Sequence, residues 1–417
     1  MSSPKTNSGN FFEDFKFDQE LIHPTPRTVT AGDVAVYQAL FGPRFAVNSD
    51  KEFAKAIGLP DSPIDDLLAF HIVFGKTVPE ISLNAVANLG YADGHFGVPV
   101  YVGDTITAVS RVIGLKENSD NKTGVVYVRS TGLNQHDEMV VDYVRWVMVR
   151  KRTESPPATD PILPNLPAAV PASALMFPHQ LRMSGYDLQL SGSPYLWESY
   201  EKGEKIDHVD GMTIEEAEHQ MATRLYQNTA KVHFNQHEQA QGRFGRRLIY
   251  GGHIISLARA LSFNGLGNGF RMVAINAGTH ANPTFAGNTL YCWSEVVDKI
   301  VLPRRDDIGA LRLRTVATKD KSCADFPYKG ADKKYDPQVV LDFDYTVGRA
   351  SPHPPLDSLF PQAHRLTPPP PAPCRTMKHT GAQGTAPPAV AIVGQGEMVD
   401  LVPVAVDHPL AAPMTIG

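Results

Sequence analysis

The two halves of this 417-residue chain repeat one another, which restricts the fold to one that the chain can build twice. Identical or similar residues recur at a nearly constant spacing. At 185 residues the matched pairs are Glu13 and Glu198, Phe15 and Tyr200, His23 and His208, Thr28 and Thr213, Leu40 and Leu225, and Phe41 and Tyr226; at 184 residues they are Pro99 and Pro283, Gly103 and Gly287, Thr105 and Thr289, Ser110 and Ser294, and Val112 and Val296. So many matches at two adjacent spacings predict two tandem copies of one fold.

Each copy has the same predicted order of elements, with helices before strands. A first helix is predicted over residues 28–42 and again over 212–227, each with a threonine at its start as a candidate N-cap. A second, more apolar helix follows over 64–78 and over 251–263. The predicted strands, rich in β-branched and aromatic residues, are 107–118, 123–134 and 140–151 in the first copy and 289–300, 310–320 and 339–347 in the second. This order predicts an α+β fold in which an antiparallel sheet wraps a long helix, twice.

Proline-rich segments mark the boundaries of the copies. Seven prolines fall within residues 153–178, and such a segment cannot sustain a helix or a central strand. Fourteen of the 34 prolines lie in residues 351–417, so we expect a mostly disordered tail that contains at most a local hairpin. The predicted organisation is a first copy at 10–152, an extended linker at 153–190, a second copy at 191–350, and the tail.

Charge and cysteine content argue against several classes of protein. The 39 Lys and Arg residues are outnumbered by 44 Asp and Glu residues, whereas nucleic-acid binders usually concentrate basic charge. The three cysteines, Cys292, Cys323 and Cys374, are too few and too scattered for a disulfide framework, which fits a reducing compartment. No stretch approaches the roughly 20 apolar residues of a membrane span. We therefore expect a soluble, cytoplasmic protein without nucleic-acid or membrane partners.

Two motifs carry a resemblance to a known family. The run FGVPVYVGDTITAVSRV at 96–112 and the run HFNQHEQAQGRFGRRLIYGGHIISLARALS at 233–262 resemble the MaoC-like family of hotdog-fold hydratases and dehydratases. The resemblance covers residues 10–350 and implies a double hotdog fold, a coenzyme A thioester as substrate, and reversible addition of water to an enoyl-CoA. It implies no cofactor and no metal. Within the family, the chain looks most like members that act on a branched, dicarboxylic acyl group.

The resemblance points to a catalytic histidine. Related hydratases carry a loop of the form D-x-N-P-x-H, and the corresponding positions here run from Asn228 to His233. Asparagine replaces the acid/base aspartate, and an amide can only orient water or the imidazole. His233 is then the principal acid/base, with Asn228 as a positioning group. A second acid/base comes from elsewhere, with Glu238 and Asp65 as candidates, or is not needed.

The repeat predicts that one copy is catalytic. At the spacing of 185 residues, His233 corresponds to Asn48, and Asn228 corresponds to Pro43. The first copy therefore lacks the titratable group. By the resemblance, we expect the first copy to house the acyl and pantetheine parts of the substrate.

Stabilisation of the enolate requires hydrogen-bond donors, and the start of the second apolar helix supplies them. Its first N–H groups have no intrahelical partners and lie at the positive end of the helix dipole. Gly251 and Gly252 occupy that start, and glycine permits close approach of a thioester carbonyl. We assign the donor to the Gly252 N–H; two glycines that only allow a tight helix entry are the alternative.

Cations near this loop are candidates for substrate binding. Arg243, Arg246 and Arg247 could meet the phosphates of coenzyme A, and a solvated basic loop is the alternative. Lys231 is the first candidate for the free carboxylate of a dicarboxylic acyl group, on proximity alone. Asn235 and Gly251 complete the predicted substrate-binding set, which further comprises Lys231, Arg243, Arg246 and Arg247.

Two further sequence patterns, a histidine pair and a glycine-rich run, suggest other kinds of site but are weaker. His233 and His237 have a spacing that could serve zinc, but no third ligand follows, so we expect no metal. The glycines in NGLGNGF, at 264–270, follow a helix rather than a strand, which favours a turn over a dinucleotide loop.

The leading functional hypothesis is an enoyl-CoA hydratase, with an acyl-CoA as partner and a homo-oligomeric assembly. A hydratase of straight-chain enoyl-CoA is the nearest alternative. A hotdog thioesterase is disfavoured, because no catalytic carboxylate follows Gly252. A non-catalytic acyl-CoA binder is disfavoured because it has no reason to keep His233 in one copy only.

Deletion of the tail should leave catalysis unchanged, because the repeat and the family resemblance both end near residue 350. We expect the chain without residues 351–417 to hydrate its substrate at the rate of the full chain. Initial rates of the two proteins test this, and a large loss in the truncated protein would show that the tail belongs to the fold.

Overall fold

A computed structural model describes residues 5–303 and 305–351, which lie in one compact unit. The predictions for the tail, from residue 352 onward, lie outside the described residues. Within the described part of the chain, no helix is long and apolar enough to cross a bilayer.

The described ranges contain ten α-helices and eleven strands, besides four short 3-10 helices. The helices are α1 Ala31–Phe41, α2 Ala46–Ser49, α3 Lys51–Ala56, α4 Asp66–Ile81, α5 Leu188–Ser191, α6 Glu216–Leu225, α7 Lys231–Phe234, α8 Gln236–Gln239, α9 Gly251–Leu261 and α10 Phe263–Leu266. The strands are β1 Glu20–Thr28, β2 Ala85–Phe96, β3 Thr105–Glu117, β4 Thr123–Leu133, β5 Met139–Arg150, β6 Lys205–Asp207, β7 Met212–Thr213, β8 Gly269–His280, β9 Thr289–Val301, β10 Ile308–Lys319 and β11 Val339–Ala350.

All the strands join one antiparallel sheet that passes through both copies. Its order is β1-β3-β4-β5-β2-β8-β11-β10-β9-β6, and β7 pairs with β9. The copies meet where β2 pairs with β8, with Tyr91 opposite Gly278. Helix α4 packs on the strands of the first copy and α9 on those of the second. The expected α+β class, an antiparallel sheet wrapped on a long helix in each copy, is confirmed.

Three long strands were missing from the sequence prediction. The segment of β2, AVANLGYADGHF, is rich in alanine, asparagine and glycine, which have low strand propensity. Strand β1 contains Pro24 and Pro26 and lies at the edge of the sheet, where proline is tolerated. Strand β8 follows the glycine-rich turn directly. Pairing between the copies stabilises β2 and β8. This long-range pairing leaves no pattern in the sequence of either strand.

The residues matched in the repeat make matched contacts. His23 places Nε2 2.8 Å from the Ser110 hydroxyl, and His208 places Nε2 2.8 Å from the Ser294 hydroxyl. All four side chains are buried. Each bond links the edge of one copy to the neighbouring strand. The histidines and serines that recur in both copies therefore stabilise the sheet and are not reacting groups.

Helix α4 of the first copy touches the segment that leads into the predicted catalytic loop. A Cβ added at Gly75 would lie 1.7 Å from the Tyr226 carbonyl oxygen. Only glycine permits this approach, and Asn228 follows two residues after Tyr226. The first copy therefore forms one wall beside the catalytic loop of the second.

Candidate active site

His233 lies on α7, half-buried, with its tautomer fixed by one hydrogen bond. Its Nδ1 lies 2.9 Å from the Leu248 carbonyl oxygen, which can only accept, so Nδ1 carries the proton. The neutral ring then keeps an unprotonated Nε2 with a free lone pair. Burial lowers the pKa of His233 to about 4, so the ring is neutral near pH 7. His233 is therefore held in the form that a general base requires.

The start of α9 lies beside this ring and has no side-chain cap. Tyr250 occupies the N-cap position, and its ring centroid is 5.4 Å from that of His233. Its own amide donates to His219 Nε2 over 2.8 Å. The next two amides, of Gly251 and Gly252, meet no side-chain acceptor in the described residues. They form a free donor pair at the positive end of the helix dipole.

The first copy has the same frame but lacks both features. Asn48 donates to the Pro63 carbonyl over 3.2 Å, at the positions that correspond to His233 and Leu248. At the start of α4, the Asp65 carboxylate accepts from the Leu67 amide over 2.8 Å. Leu67 corresponds to Gly252 in the repeat. The first copy thus has an occupied helix start and an amide in place of the imidazole.

A second histidine, which the sequence prediction missed, faces the same helix start. His280 ends β8, and a Cβ added at Gly251 would lie 2.3 Å from its Nε2. The same Nε2 is 3.4 Å from the Tyr91 hydroxyl of the first copy. Burial, and then the charge of His233, lowers the pKa of His280 to about 4. Two neutral imidazoles therefore flank the free amides.

The first copy contributes one more histidine to the floor of the site. His71 of α4 places Nε2 3.0 Å from the Ser256 hydroxyl and Nδ1 3.4 Å from the Tyr250 hydroxyl. A Cβ added at Gly252 would lie 2.5 Å from its Cε1. His71 lies among apolar residues of α4, so in the sequence it looks like any other buried position of that helix. No sequence pattern indicated that it lies near the site.

Asn228 shapes the loop that carries His233. It is buried, and its side-chain oxygen accepts from the Ala230 amide over 3.1 Å. Such a bond forms a turn within the loop. The expected role of positioning water or the ring stays a prediction, since the described contact is with the backbone.

Lys231 and Asn235 face away from the two imidazoles, toward Glu238. The Lys231 ammonium lies 3.5 Å from the Glu238 carboxylate, and both side chains are about half exposed. Asn235 caps α8 by accepting from the Glu238 amide over 3.2 Å. Lys231 and Glu238 thus partner each other at the surface. The roles of Lys231 at the acyl carboxylate and of Glu238 as a second acid/base stay predictions.

The three predicted arginines separate into two roles. Arg247 lies 2.7 Å from Glu216 and also donates to Gln220, so it ties the loop to α6 instead of facing solvent. Arg243 and Arg246 are exposed. Their guanidinium groups lie 5.1 Å from the ring centre of Phe244 and 5.0 Å from that of Phe285, respectively. These two arginines and two rings form an exposed cationic and aromatic patch at the rim.

The histidine pair considered for zinc is split by the fold. His237 is exposed on α8, whereas His233 turns inward to Leu248. In the ranges that the structure describes, no three His, Cys, Asp or Glu side chains are arranged to hold a metal ion. The glycine-rich segment is a turn before β8, with Gly265 at a φ of 103°.

Substitution of Gly252 should test the donor role. A Cβ there would lie 2.3 Å from Tyr250 Cε1, so Gly252→Ala must displace the ring or the helix start. We expect kcat to fall by about 10² to 10³, the usual cost of losing one oxyanion donor. Gly32→Ala, on exposed α1, where the new Cβ meets ordinary contacts, is the matched control. An unchanged kcat with only a raised KM would remove Gly252 from the catalytic machinery.

Comparisons with known proteins identify the relatives of this chain. A model described as "MaoC like domain" matches residues 14–134. A relative from Chloroflexus aurantiacus named β-methylmalyl-CoA dehydratase is 63% identical over 345 residues, which cover 83% of this chain and 98% of the relative. A relative from Cereibacter sphaeroides named mesaconyl-CoA hydratase is 57% identical over 341 residues, which cover 82% of this chain and 98% of the relative.

Solved structures give the fold. A crystal structure of a putative MaoC domain protein dehydratase from Chloroflexus aurantiacus superposes with a TM-score of 0.82 at 62% identity, covering 84% of this chain and all of that one. A conserved hypothetical protein from Mycobacterium tuberculosis, described as a double hotdog fold, superposes with a TM-score of 0.66 at 22% identity, covering 82% of this chain and 98% of that one. The expected double hotdog fold is confirmed.

Proposed function

The chain belongs to the MaoC-like family, and from that premise we propose that it adds water reversibly to the double bond of mesaconyl-CoA (2-methylfumaryl-CoA) to give β-methylmalyl-CoA. The names of the two relatives above describe the two directions of this reaction. The observation that carries the proposal is the contrast between the helix starts. In the second copy, free glycine amides lie beside a neutral imidazole, and in the first copy Asp65 occupies the corresponding amide.

Addition of water proceeds by base catalysis at His233. The free Nε2 takes a proton from water while the hydroxyl adds to C3, the carbon β to the thioester. Negative charge then develops on the thioester oxygen, which the Gly252 N–H stabilises with the α9 dipole behind it. The imidazolium returns the proton to C2. The atoms of one water are thereby added, and His233 ends in its starting form.

In this mechanism His280 is the second group that hydrogen-bonds to the reacting water. Its ring lies against Gly251, on the same helix start that His233 faces. The aspartate of the family loop is replaced by Asn228, whose oxygen is bound to the Ala230 amide. A neutral His280 can accept from water or donate to it, and it can pass a proton that the amide of Asn228 cannot.

The coenzyme A moiety of the bound substrate would extend from the site to solvent along the exposed cationic and aromatic patch. Arg243 and Arg246 present exposed guanidinium groups beside Phe244 and Phe285. Guanidinium groups bind phosphates through paired donors, and an aromatic ring offers a face to adenine. The reaction needs no further cofactor or metal, since base and donors come from the chain. We propose a cytoplasmic homo-oligomer whose partner is the acyl-CoA itself.

An absorbance assay tests the proposed reaction. Mesaconyl-CoA and crotonyl-CoA are each incubated with the protein, loss of the conjugated thioester is followed, and the product is identified by mass. Gain of one water by mesaconyl-CoA supports the proposal. Hydration of crotonyl-CoA alone would keep the chemistry and overturn the substrate. Release of free thiol would indicate a thioesterase, and binding without reaction would indicate an acyl-CoA binder.

A further inference from the structure

Arg145, on β5 of the first copy, is a fully buried cation without a carboxylate partner. Its side chain is 0% exposed, and its one described side-chain hydrogen bond is to the Thr77 hydroxyl, over 2.8 Å. The guanidinium lies 4.3 Å from the centre of the Phe74 ring. Its Nε has no hydrogen-bond partner, and within the described ranges no carboxylate lies within ion-pair distance. Burial of such a charge carries a desolvation cost that these contacts offset only in part.

Two other buried arginines, Arg271 and Arg349, have more oxygen partners than Arg145. Arg271 lies 3.6 Å from the Asp66 carboxylate and also donates to the Gly97 carbonyl. Arg349 donates to three oxygens, of Tyr200, Tyr195 and Leu266, over 2.8, 2.9 and 3.3 Å. Each of these two guanidinium groups therefore has more oxygen partners than that of Arg145, although their Nε atoms are likewise unpaired. The Arg145 guanidinium donates to one hydroxyl and meets no carboxylate in the described residues.

The position of Arg145 relates this charge to the candidate active site. Phe74 lies between it and the catalytic residues, with its ring 5.5 Å from that of Tyr250, which in turn is 5.4 Å from His233. On the other side, the Tyr91 ring lies 5.8 Å from that of His280. The rings of Phe74 and Tyr250 thus lie between the cation and His233, and the ring of Tyr91 lies between the cation and His280.

The proposed substrate carries its free carboxylate at that end. In mesaconyl-CoA the thioester and the carboxylate occupy opposite ends of a trans double bond. With the thioester oxygen at Gly252 and coenzyme A toward the rim, the carboxylate points inward, past the carbon that water attacks. A cation there also offsets the negative charge next to that carbon.

We propose that Arg145 binds the free carboxylate of a dicarboxylic acyl group and selects such substrates over monocarboxylic enoyl-CoA. This inference rests on the proposed function and replaces Lys231, whose charge is paired with Glu238 at the surface. The signal was absent from the sequence, where Arg145 stands in the strand RWVMVR beside other basic residues.

Paired substrates with Arg145→Met test the assignment. We expect kcat/KM for mesaconyl-CoA to fall by at least about 30-fold, since removing one partner of a buried charge pair costs this much or more. The value for crotonyl-CoA should be unchanged or higher. Calorimetry with the unreactive succinyl-CoA and butyryl-CoA measures the same preference without turnover, so it separates failure of this inference from failure of the proposed reaction.

Stability of the ligand-free protein distinguishes binding from a structural role. If Arg145 is held for an anion, Arg145→Met should unfold at an equal or higher denaturant concentration, because the uncompensated charge is gone. Arg349→Met, the matched buried arginine with three oxygen partners, should lose stability and keep the substrate preference. Arg145→Lys, which keeps the charge, should retain part of the preference and serves if the methionine variant does not fold. An Arg145→Met protein that is less stable, with the preference for dicarboxylic acyl groups intact, would overturn the inference.

Discussion

Replacement of His233 by alanine is expected to lower kcat for hydration by about 10² to 10⁴, the range that one acid/base group supplies. The Nδ1 proton of His233 is held by the Leu248 carbonyl, so Nε2 is the atom that takes the proton from water. Binding should change far less than kcat, because coenzyme A and the carboxylate are held elsewhere.

The measurement is a stopped absorbance assay of the wild type and His233→Ala, with KM and kcat resolved. His237→Ala is the matched control, since His237 lies four residues further along on the exposed side of α8. It should hydrate at the wild-type rate. If His233→Ala keeps its kcat while remaining folded, catalysis must be assigned to another group, and His280 is then the first to replace.

The pH profile provides a second readout of His233. Because burial lowers its pKa to about 4, the ring stays a base well below the ordinary histidine pKa of about 6.5. We therefore expect kcat/KM to be flat between pH 8 and 6 and to fall only toward the lower value. The pH profile is measured with the same absorbance assay. A loss of kcat/KM centred near pH 6.5 would mean that the site is more hydrated than the structure indicates.

The sequence could predict the repeated fold and those site residues that lie close together along the chain. His233, Gly251 and Gly252 lie within one stretch of chain, so a motif and a helix start were enough to place them. The repeat placed Asn48 opposite His233 and so predicted that the first copy lacks the imidazole, whereas the role of Asp65 at its helix start emerged only from the structure.

The remaining groups come from strands that only the assembled sheet brings near. His280 ends β8 and Tyr91 lies on β2, and these two strands pair across the copies. Arg145 reaches the site from β5, so no spacing along the chain relates it to His233. Lys231 was predicted from proximity in sequence alone; on its short surface helix its ammonium lies 3.5 Å from Glu238, and its role stays a prediction.

Mild acid should destabilise this protein more than its sequence composition suggests. Five histidines are buried, and in four of them burial lowers the pKa far from the ordinary value: to about 3 for His71 and His253, to about 4 for His208, and well below the ordinary value for His219. In the unfolded chain each would titrate near 6.5. Between these values the unfolded state binds more protons than the folded state.

The sign of the effect follows from this proton difference. The free energy of unfolding rises with pH wherever the unfolded state binds more protons. The stability is therefore fully present above about pH 6.5 and is lost as pH falls toward 4. Each such histidine contributes about 1.4 kcal/mol per pH unit in that window. Asp65, whose pKa burial raises to about 6, and Asp66, whose pKa burial also raises, act in the opposite direction, but they are two groups against four.

We expect the free energy of unfolding to fall by several kcal/mol between pH 7.5 and pH 5.5, as four such groups imply. Urea unfolding of the ligand-free protein at a series of pH values measures the slope directly. His253→Leu is the informative variant, because neither nitrogen of His253 has a hydrogen-bond partner that the substitution would remove. It should keep or gain stability at pH 7.5 and lose about one quarter of the four-histidine pH dependence. A wild-type stability that does not change across this range would show that these histidines reach water or proton-accepting partners in solution. The same burial is the first cause that lowers the pKa of His233 and His280, so the argument that these two rings are neutral would lose its support.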